Sequence, residues 1–409
     1  MTRSDRDAPA PSLDAAADAG ATGQLDPVAV SAVAVEEAAL GPAPAELADK
    51  GNSIYVAPQW KLVWWRFRKH RLAVIGMVVT ILLYLVAIFC EFAAPSTRDA
   101  YNASYSYAPP QWVHVSVTSS PHIYAYAYTS KVDPNTLERT FTPDKTHKIP
   151  LSFFVHGDKY KMWNLFSSDI HLFGAHQGQP YYPIGADQQG RDLLSRIMYG
   201  ARISLSVGLI GVAFSLVLGI LLGGASGYFA GKTDMAVQRF IEFVMSMPTL
   251  PLWLGFAAAI PPGWGPVKSY LAITVILSLI GWTGLARVVR GRFLQLRTED
   301  FVLAAELDGA RKPRIIVRHM LPAFSSHIIA TLTLAIPAMI LGETSLSFLG
   351  LGLQAPVVSW GVLLSDADNL RVVSDAPWLL APGVAVVIAV LALNFVGDGL
   401  RDAADPYVT

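Results

Sequence analysis

The stretch GYFAGKTD at 227–234 comes within one residue of a phosphate-binding loop, in which glycine-rich backbone and a lysine cradle nucleotide phosphates. That pattern needs a glycine at position 226, where the chain has Ser226, and a β-strand leading into it inside a soluble α/β domain. An apolar run precedes it instead, so the stretch reads as a tight turn at a membrane surface. The chain then has no nucleotide site. Thiol chemistry is equally limited. The one cysteine, Cys90, excludes an intramolecular disulfide and any metal site built from several thiolates, and its apolar surroundings suggest packing. His114, His122, His147, His156, His171 and His176 show no paired ligand spacing. No catalytic, cofactor-binding or metal-ligating residue is therefore assigned. Glu343 is the one acid well inside an apolar run, where an ionisable group is costly and usually faces the protein interior. A hydrogen bond to a neighbouring helix explains it better than a proton relay, which needs partner acids inside spans. His327, at the start of the same run, reads as an interfacial residue.

The elements that must position these residues are membrane helices. Of 409 residues, 53% are hydrophobic and 15% charged, with a mean hydropathy of +0.40, whereas soluble domains carry about 25% charged residues. Thirty-one basic residues against thirty-one acidic leave no net field for a nucleic-acid backbone, so nucleic-acid binding is excluded as a main function. Residues 1–50, rich in Ala, Pro and Asp, cannot bury enough apolar area to order themselves and read as a disordered tail. Residues 51–93 hold a basic and aromatic interfacial segment (Lys61, Arg66, Arg68, Lys69 and Arg71 among Trp60, Trp64, Trp65 and Phe67) and the first span, 72–90. Residues 94–198 are too polar to span, and alternation at 113–117 and 124–128 predicts strands, so the segment reads as an inserted, partly β domain. Uncharged runs at 203–228, 243–262, 269–286, 327–348 and 378–397 bring the spans to six. Sixteen Lys/Arg in the short loops of one side against two on the other place both termini in the cytoplasm and the insert outside.

Two features remain within the 199–409 core. Gly219, Gly223 and Gly227 recur every four residues and line one helix face, either as a moving contact or as static close packing. The loop 298–322, TEDFVLAAELDGARKPRIIVRHMLP, is polar and basic although a few residues would join its flanking spans. It predicts a helix from Thr298 to Leu307, a corner at Asp308-Gly309, and a second helix from Pro313.

Ala304-Ala305, Gly309 and Leu321-Pro322 stand at the spacing of the "EAA" loop of ABC-importer permeases, which this chain resembles, with Leu303 in place of the name-giving acid and Glu306 in a different register. The oligopeptide/dipeptide C-type branch is resembled more widely, in PIGADQQGRDLLSRIMYGARISL at 183–205, GYFAGKTD, LGETSLSFLGLGLQAPVVSWGVLLSDA at 341–367 and NFVGDGLRDAADP at 394–406. The insert is similar to that of permeases handling oligopeptides and microcin-like peptides. The resemblance implies an all-α integral membrane protein of the type I importer fold, six spans and an inserted extracytoplasmic domain, in a bacterial inner membrane. It implies an ATP-driven peptide importer in which Ala304, Ala305, Glu306, Asp308, Gly309, Ala310, Leu321 and Pro322 meet the ATPase. The partners implied are a second homologous permease, two ABC ATPase subunits, an extracytoplasmic binding protein, the peptide and membrane lipid, with no cofactor. Arg191-Asp192 would belong to a structured external segment near the docking site of the binding protein; the alternative is a helix cap at Asp187. The rival to the whole reading is an ion-gradient-driven secondary transporter, which predicts intramembrane acids and repeated halves with broken helices.

Overall fold

The computed structural model describes residues 59–404, apart from 117–121, 133, 135–138, 177–178, 262 and 369–373, so the expected tail over 1–50 lies outside the described residues. Helix α1 (Gln59–Phe67) leads into α2 (Arg71–Ile88), whose start is capped by His70 Nδ1 accepting from Ala73 N–H at 3.1 Å. α2 is apolar all round and only its small residues are buried: a Cβ on Gly76 would lie 2.7 Å from Ala392 O, so α2 rests closely on the last helix and leaves Ile75, Val78 and Leu82 facing outward. A short turn, α3 (Cys90–Ala93), ends this part; Cys90 is buried.

The segment after it forms one antiparallel sheet in the order β1 (His114–Ser116), β2 (His122–Val132), β3 (Arg139–Met162), β4 (Phe166–Ala175). The alternating stretches fall on β1 and β2. The polar alternation of β3 and β4 carried no comparable signal in the sequence. β3 pairs with β2 through Leu151 and with β4 from Leu151 onward, so Pro143 and Pro150 fall where it has a single neighbour and their missing N–H costs least. Register shifts bend the strands beside Tyr126 and His156, and Ala125, Ile149, Leu151, Ala175 and Tyr181 make a small core.

The remaining helices are α4 (Leu193–Phe229), α5 (Gly231–Ser246), α6 (Thr249–Ala258), α7 (Pro266–Leu296), α8 (Asp300–Leu307), α9 (Lys312–Ile315), α10 (Ser325–Phe348), α11 (Trp360–Ser365) and α12 (Ala381–Ala404). Among the described residues, five helices are long and apolar enough to cross a membrane: α2, α4, α7, α10, and α12 with the turn before it. α4 begins ten residues before the expected run, at Leu193, because the charges that ended the run are neutralised in place: Arg196 pairs with Asp187 and Asp366, and Arg202 with Glu91. At 37 residues it is about 55 Å long, well beyond a bilayer's hydrocarbon thickness.

The third expected span is not one straight helix. α5 and α6 are bent by 85°, and only the pair together passes as a sixth span. Pro248 is the cause: it disfavours helical backbone at the residue before it, and Met247 is extended at φ −87°, ψ 135°.

Candidate functional site: the 298–322 loop and a buried polar cluster

The loop between α7 and α10 is built as a wedge. α8 ends in a Schellman motif, with Gly309 N–H donating to Glu306 O at 3.0 Å and Ala310 N–H to Ala305 O at 3.1 Å. Gly309 supplies the left-handed backbone, φ +75°, that such an ending requires. From there α9 and a π turn, Ile316–Met320, return the chain through Leu321 and Pro322 to α10. Val302, Ala305, Ile315 and Met320 are buried together against Val289, Phe293 and Ile328, and Ala310 and Leu321 pack at the edge. Glu306 reaches back: its Oε1 accepts from the Tyr228 hydroxyl, 2.7 Å, at the end of α4. One face of the loop is thus held by the ends of three spans.

The other face is open. Ala304 and Leu303 are exposed, Leu307 is 89% exposed, and a concavity of about 630 Å³ is lined by Ala305, Asp308, Gly309, Ala310, Arg311, Arg314 and His319. A Cβ on Gly309 would meet nothing within 4 Å. The glycine is needed for its backbone conformation, and the space beside it is free.

Beside the loop, GYFAGKTD makes a tight turn between α4 and α5, with Ala230 and Gly231 at φ 52° and 56°. Asp234 is then held by Arg290 Nε and Nη2 of α7, at 2.5 and 2.7 Å, and by the Ser226 hydroxyl at 2.5 Å. Sequence reasoning passed over this pair and the Tyr228–Glu306 bond, although the motif carried both Tyr228 and Asp234. Their partners lie 56 and 78 residues away, and no local spacing points to them.

The glycine stripe faces α7. A Cβ on Gly219 would lie 2.8 Å from a Leu285 methyl, on Gly223 2.4 Å from Ala286 O, and on Gly227 2.6 Å from Phe293 Cβ. Glu343 is fully buried in α10 and is not brought near the loop's open face; it joins α4 and α10. Ser204 Oγ of α4 donates to its Oε2 at 3.0 Å and Ser347 Oγ to its Oε1 at 2.9 Å. Those hydroxyls accept in turn from Trp360 N–H, at 3.1 Å, and Leu353 N–H, at 3.0 Å. No group of three or more potential metal ligands exists among the described residues.

At the other end of α4, the cap is Asp192 and not Asp187. Asp192 accepts from Leu194 N–H at 3.3 Å and Ser195 N–H at 2.8 Å. Asp187 sits one turn earlier and folds the GADQQGRD loop: it accepts from Gln189 N–H at 2.8 Å and Arg191 N–H at 2.9 Å, and binds the Arg191 and Arg196 side chains. Burial pushes Asp192 up to about 6 and raises Asp366 as well, against the pull of Arg196. Gly190, at φ +72°, passes so close to Asn102 O that a Cβ has no room.

The chain is similar to known transport proteins. The family described as "Binding-protein-dependent transport system inner membrane component" matches residues 215–409, and "N-terminal TM domain of oligopeptide transport permease C" matches 58–110. The Haemophilus influenzae oligopeptide transport system permease protein OppC is 40% identical over 60% of this chain and 74% of its own length. The Bacillus subtilis OppC is 30% identical over 85% of this chain and 89% of its own length, and the dipeptide permease DppC of the same organism is 40% identical over 54% and 68%. A chain of the inward-facing MetNI methionine ABC transporter aligns over 52% of this chain and 97% of its own length at 17% identity, with a TM-score of 0.41. The relatives' coverage, together with the five to six apolar spans, describes a multi-pass protein of the inner membrane. Likeness that runs through 85% of the chain sets aside the gradient-driven rival and places this chain in the oligopeptide/dipeptide permease family of ABC transporters.

Proposed function

We propose that this chain imports peptides as one of two homologous permease halves, taking its energy from two separate ATPase subunits that dock on the loop 298–322. An extracytoplasmic binding protein delivers the peptide, the sheet-bearing segment 94–198 lies on that outer side, and both termini are cytoplasmic. The single observation that carries the reading is the two-sided construction of the loop, one face fixed to α4, α7 and α10 and the other open around Gly309. A wedge so held turns a push on its open face into motion of three spans, which is what alternating access needs. Ala304, Asp308, Gly309 and Ala310 present the surface; Ala305, Glu306 and Leu321 hold it in place, with Pro322 leading into α10.

Two variants test this. Gly309→Arg fills the open concavity, while Gly309→Asn tolerates the left-handed backbone and adds little bulk. Co-purification of an ATPase should fall about tenfold or more with the arginine, equivalent to a loss of about 1.4 kcal/mol, and stay near wild type with the asparagine. Retention of the ATPase by Gly309→Arg would refute the assignment.

A further inference from the structure

The β3–β4 hairpin ends in a tight turn in which Trp163 and Asn164 both adopt left-handed backbone, φ 52° and 59°. This tip is fastened to the last turn of α2. Trp163 Nε1 donates to Ile88 O at 3.1 Å, and the Arg202 guanidinium lies 4.3 Å from the centre of the indole. Arg202 itself donates to Ala87 O at 2.8 Å and Ile88 O at 2.9 Å and binds both oxygens of Glu91. It thereby satisfies carbonyls that the end of α2 leaves without intrahelical partners. Behind the tip, the Phe154 ring approaches Phe92 of α3, with 6.2 Å between centroids.

These contacts fix the level of the tip at the end of a membrane span. α2 crosses the bilayer, so its final carbonyls mark the boundary of the hydrocarbon region on that side, and its outward Leu85, Ile88 and Phe89 are exposed. The tip extends that stripe with Leu165, 77% exposed, and Phe166, 69% exposed. A run of large apolar side chains of this kind in water marks an interaction surface. An indole held at a span terminus matches the aromatic belt of membrane proteins. Lys159 and Lys161, exposed on the same hairpin, have the charge that suits headgroup phosphates.

We infer that the β3–β4 hairpin tip inserts into the headgroup–acyl boundary at the C-terminal end of α2, so that lipid covers Leu165, Phe166 and Phe154 and the sheet is moored to the membrane. Lipid is favoured over a protein partner because the patch continues the outward apolar stripe of α2. The inference needs α2 to cross the membrane and is independent of peptide import and of ATPase docking.

The test uses the full chain in nanodiscs, alone and with its second permease subunit. Cysteine replaces Leu165 or, as a water-exposed reference on the same sheet, Lys145, in a Cys90→Ala background, and is labelled with the environment-sensitive dye NBD. Both sites are on the surface, and an unchanged gel-filtration profile shows that each labelled chain is folded. Emission at 165 should be blue-shifted relative to 145 and quenched about threefold more by lipids carrying a nitroxide near the headgroup, as for a side chain at belt depth. Equal, weak lipid quenching at both positions, with iodide reaching 165 freely, overturns the inference. Shielding of 165 from lipid nitroxide and iodide alike once the second permease is present also overturns it, by showing that protein covers the patch.

Discussion

Glu343 is tolerated inside the membrane because serine hydroxyls from two helices donate to it while themselves accepting backbone N–H groups of Trp360 and Leu353. Removing the carboxylate strands those hydroxyls, so Glu343→Leu should destabilise the detergent-solubilised chain by about 1–3 kcal/mol, read as a fall in thermal midpoint. Glu343→Gln keeps an acceptor and should retain ATP-driven uptake; loss of uptake with an unchanged midpoint would show that a proton step runs through this site. Asp192 behaves differently because its cost depends on pH. Burial raises its folded pKa from 3.8 to about 6, so the folded state holds the proton more tightly than the unfolded. Its contribution to stability is therefore greatest below about pH 4 and falls as pH rises through 6. Asparagine caps the helix without a charge, so Asp192→Asn should melt at a higher temperature relative to wild type at pH 8 than at pH 5. Equal differences at the two pH values would mean that the carboxyl is not strained by burial.

Among the helices, α4 and α7 pack closely, and the contact depends on absent side chains. A Cβ at Gly223 would collide with Ala286 O at 2.4 Å, and backbone cannot move aside cheaply, whereas one at Gly284 on α7 meets nothing within 4 Å. Gly223→Ala should thus cost about 1–3 kcal/mol through overpacking, and Gly284→Ala should be neutral or gain up to about 1 kcal/mol from helix propensity; equal thermal midpoints for the two variants would contradict this packing. Gly219, Gly223 and Gly227 were legible in the sequence because a period of four on a helix survives any tertiary arrangement. The cap at Asp192 was less so, since Asp187 and Asp192 both suit a helix start and only three-dimensional pairing with Arg196 assigns Asp187 to the loop. The extension of α4 was hidden for a related reason: hydropathy counts Arg196 and Arg202 as breaks, and while Asp187 lies nine residues before Arg196, the other neutralising partners, Asp366 and Glu91, lie 170 and 111 residues away. The third run was expected as one span, and hydropathy gave no sign that Pro248 bends it by 85°.

At the scale of the molecule, the spans were readable because bilayer thickness and backbone satisfaction leave few choices, and the two short helices of 298–322 because Gly309 and Pro313 mark the corner between them. The sheet was readable only in β1 and β2, where tyrosine and valine alternate; in β3, polar residues on an edge give no such contrast. The proposed orientation rests on a different quantity, the placement of charge. The basic residues of α1, of the α4–α5 turn and of the loop from Arg287 to Arg318 all lie on one side if the α5–α6 pair crosses once, and the sheet then lies on the other. Buried Cys90 leaves the wild-type chain silent toward impermeant maleimides, so a single cysteine at Lys145 or Arg311 reports its own side. Lys145→Cys should label in right-side-out vesicles and Arg311→Cys only in inverted ones. The opposite pattern would turn the sheet to the cytoplasm and put the loop 298–322 beyond the reach of any cytoplasmic ATPase, so this labelling experiment tests the coupling assignment as well as the topology.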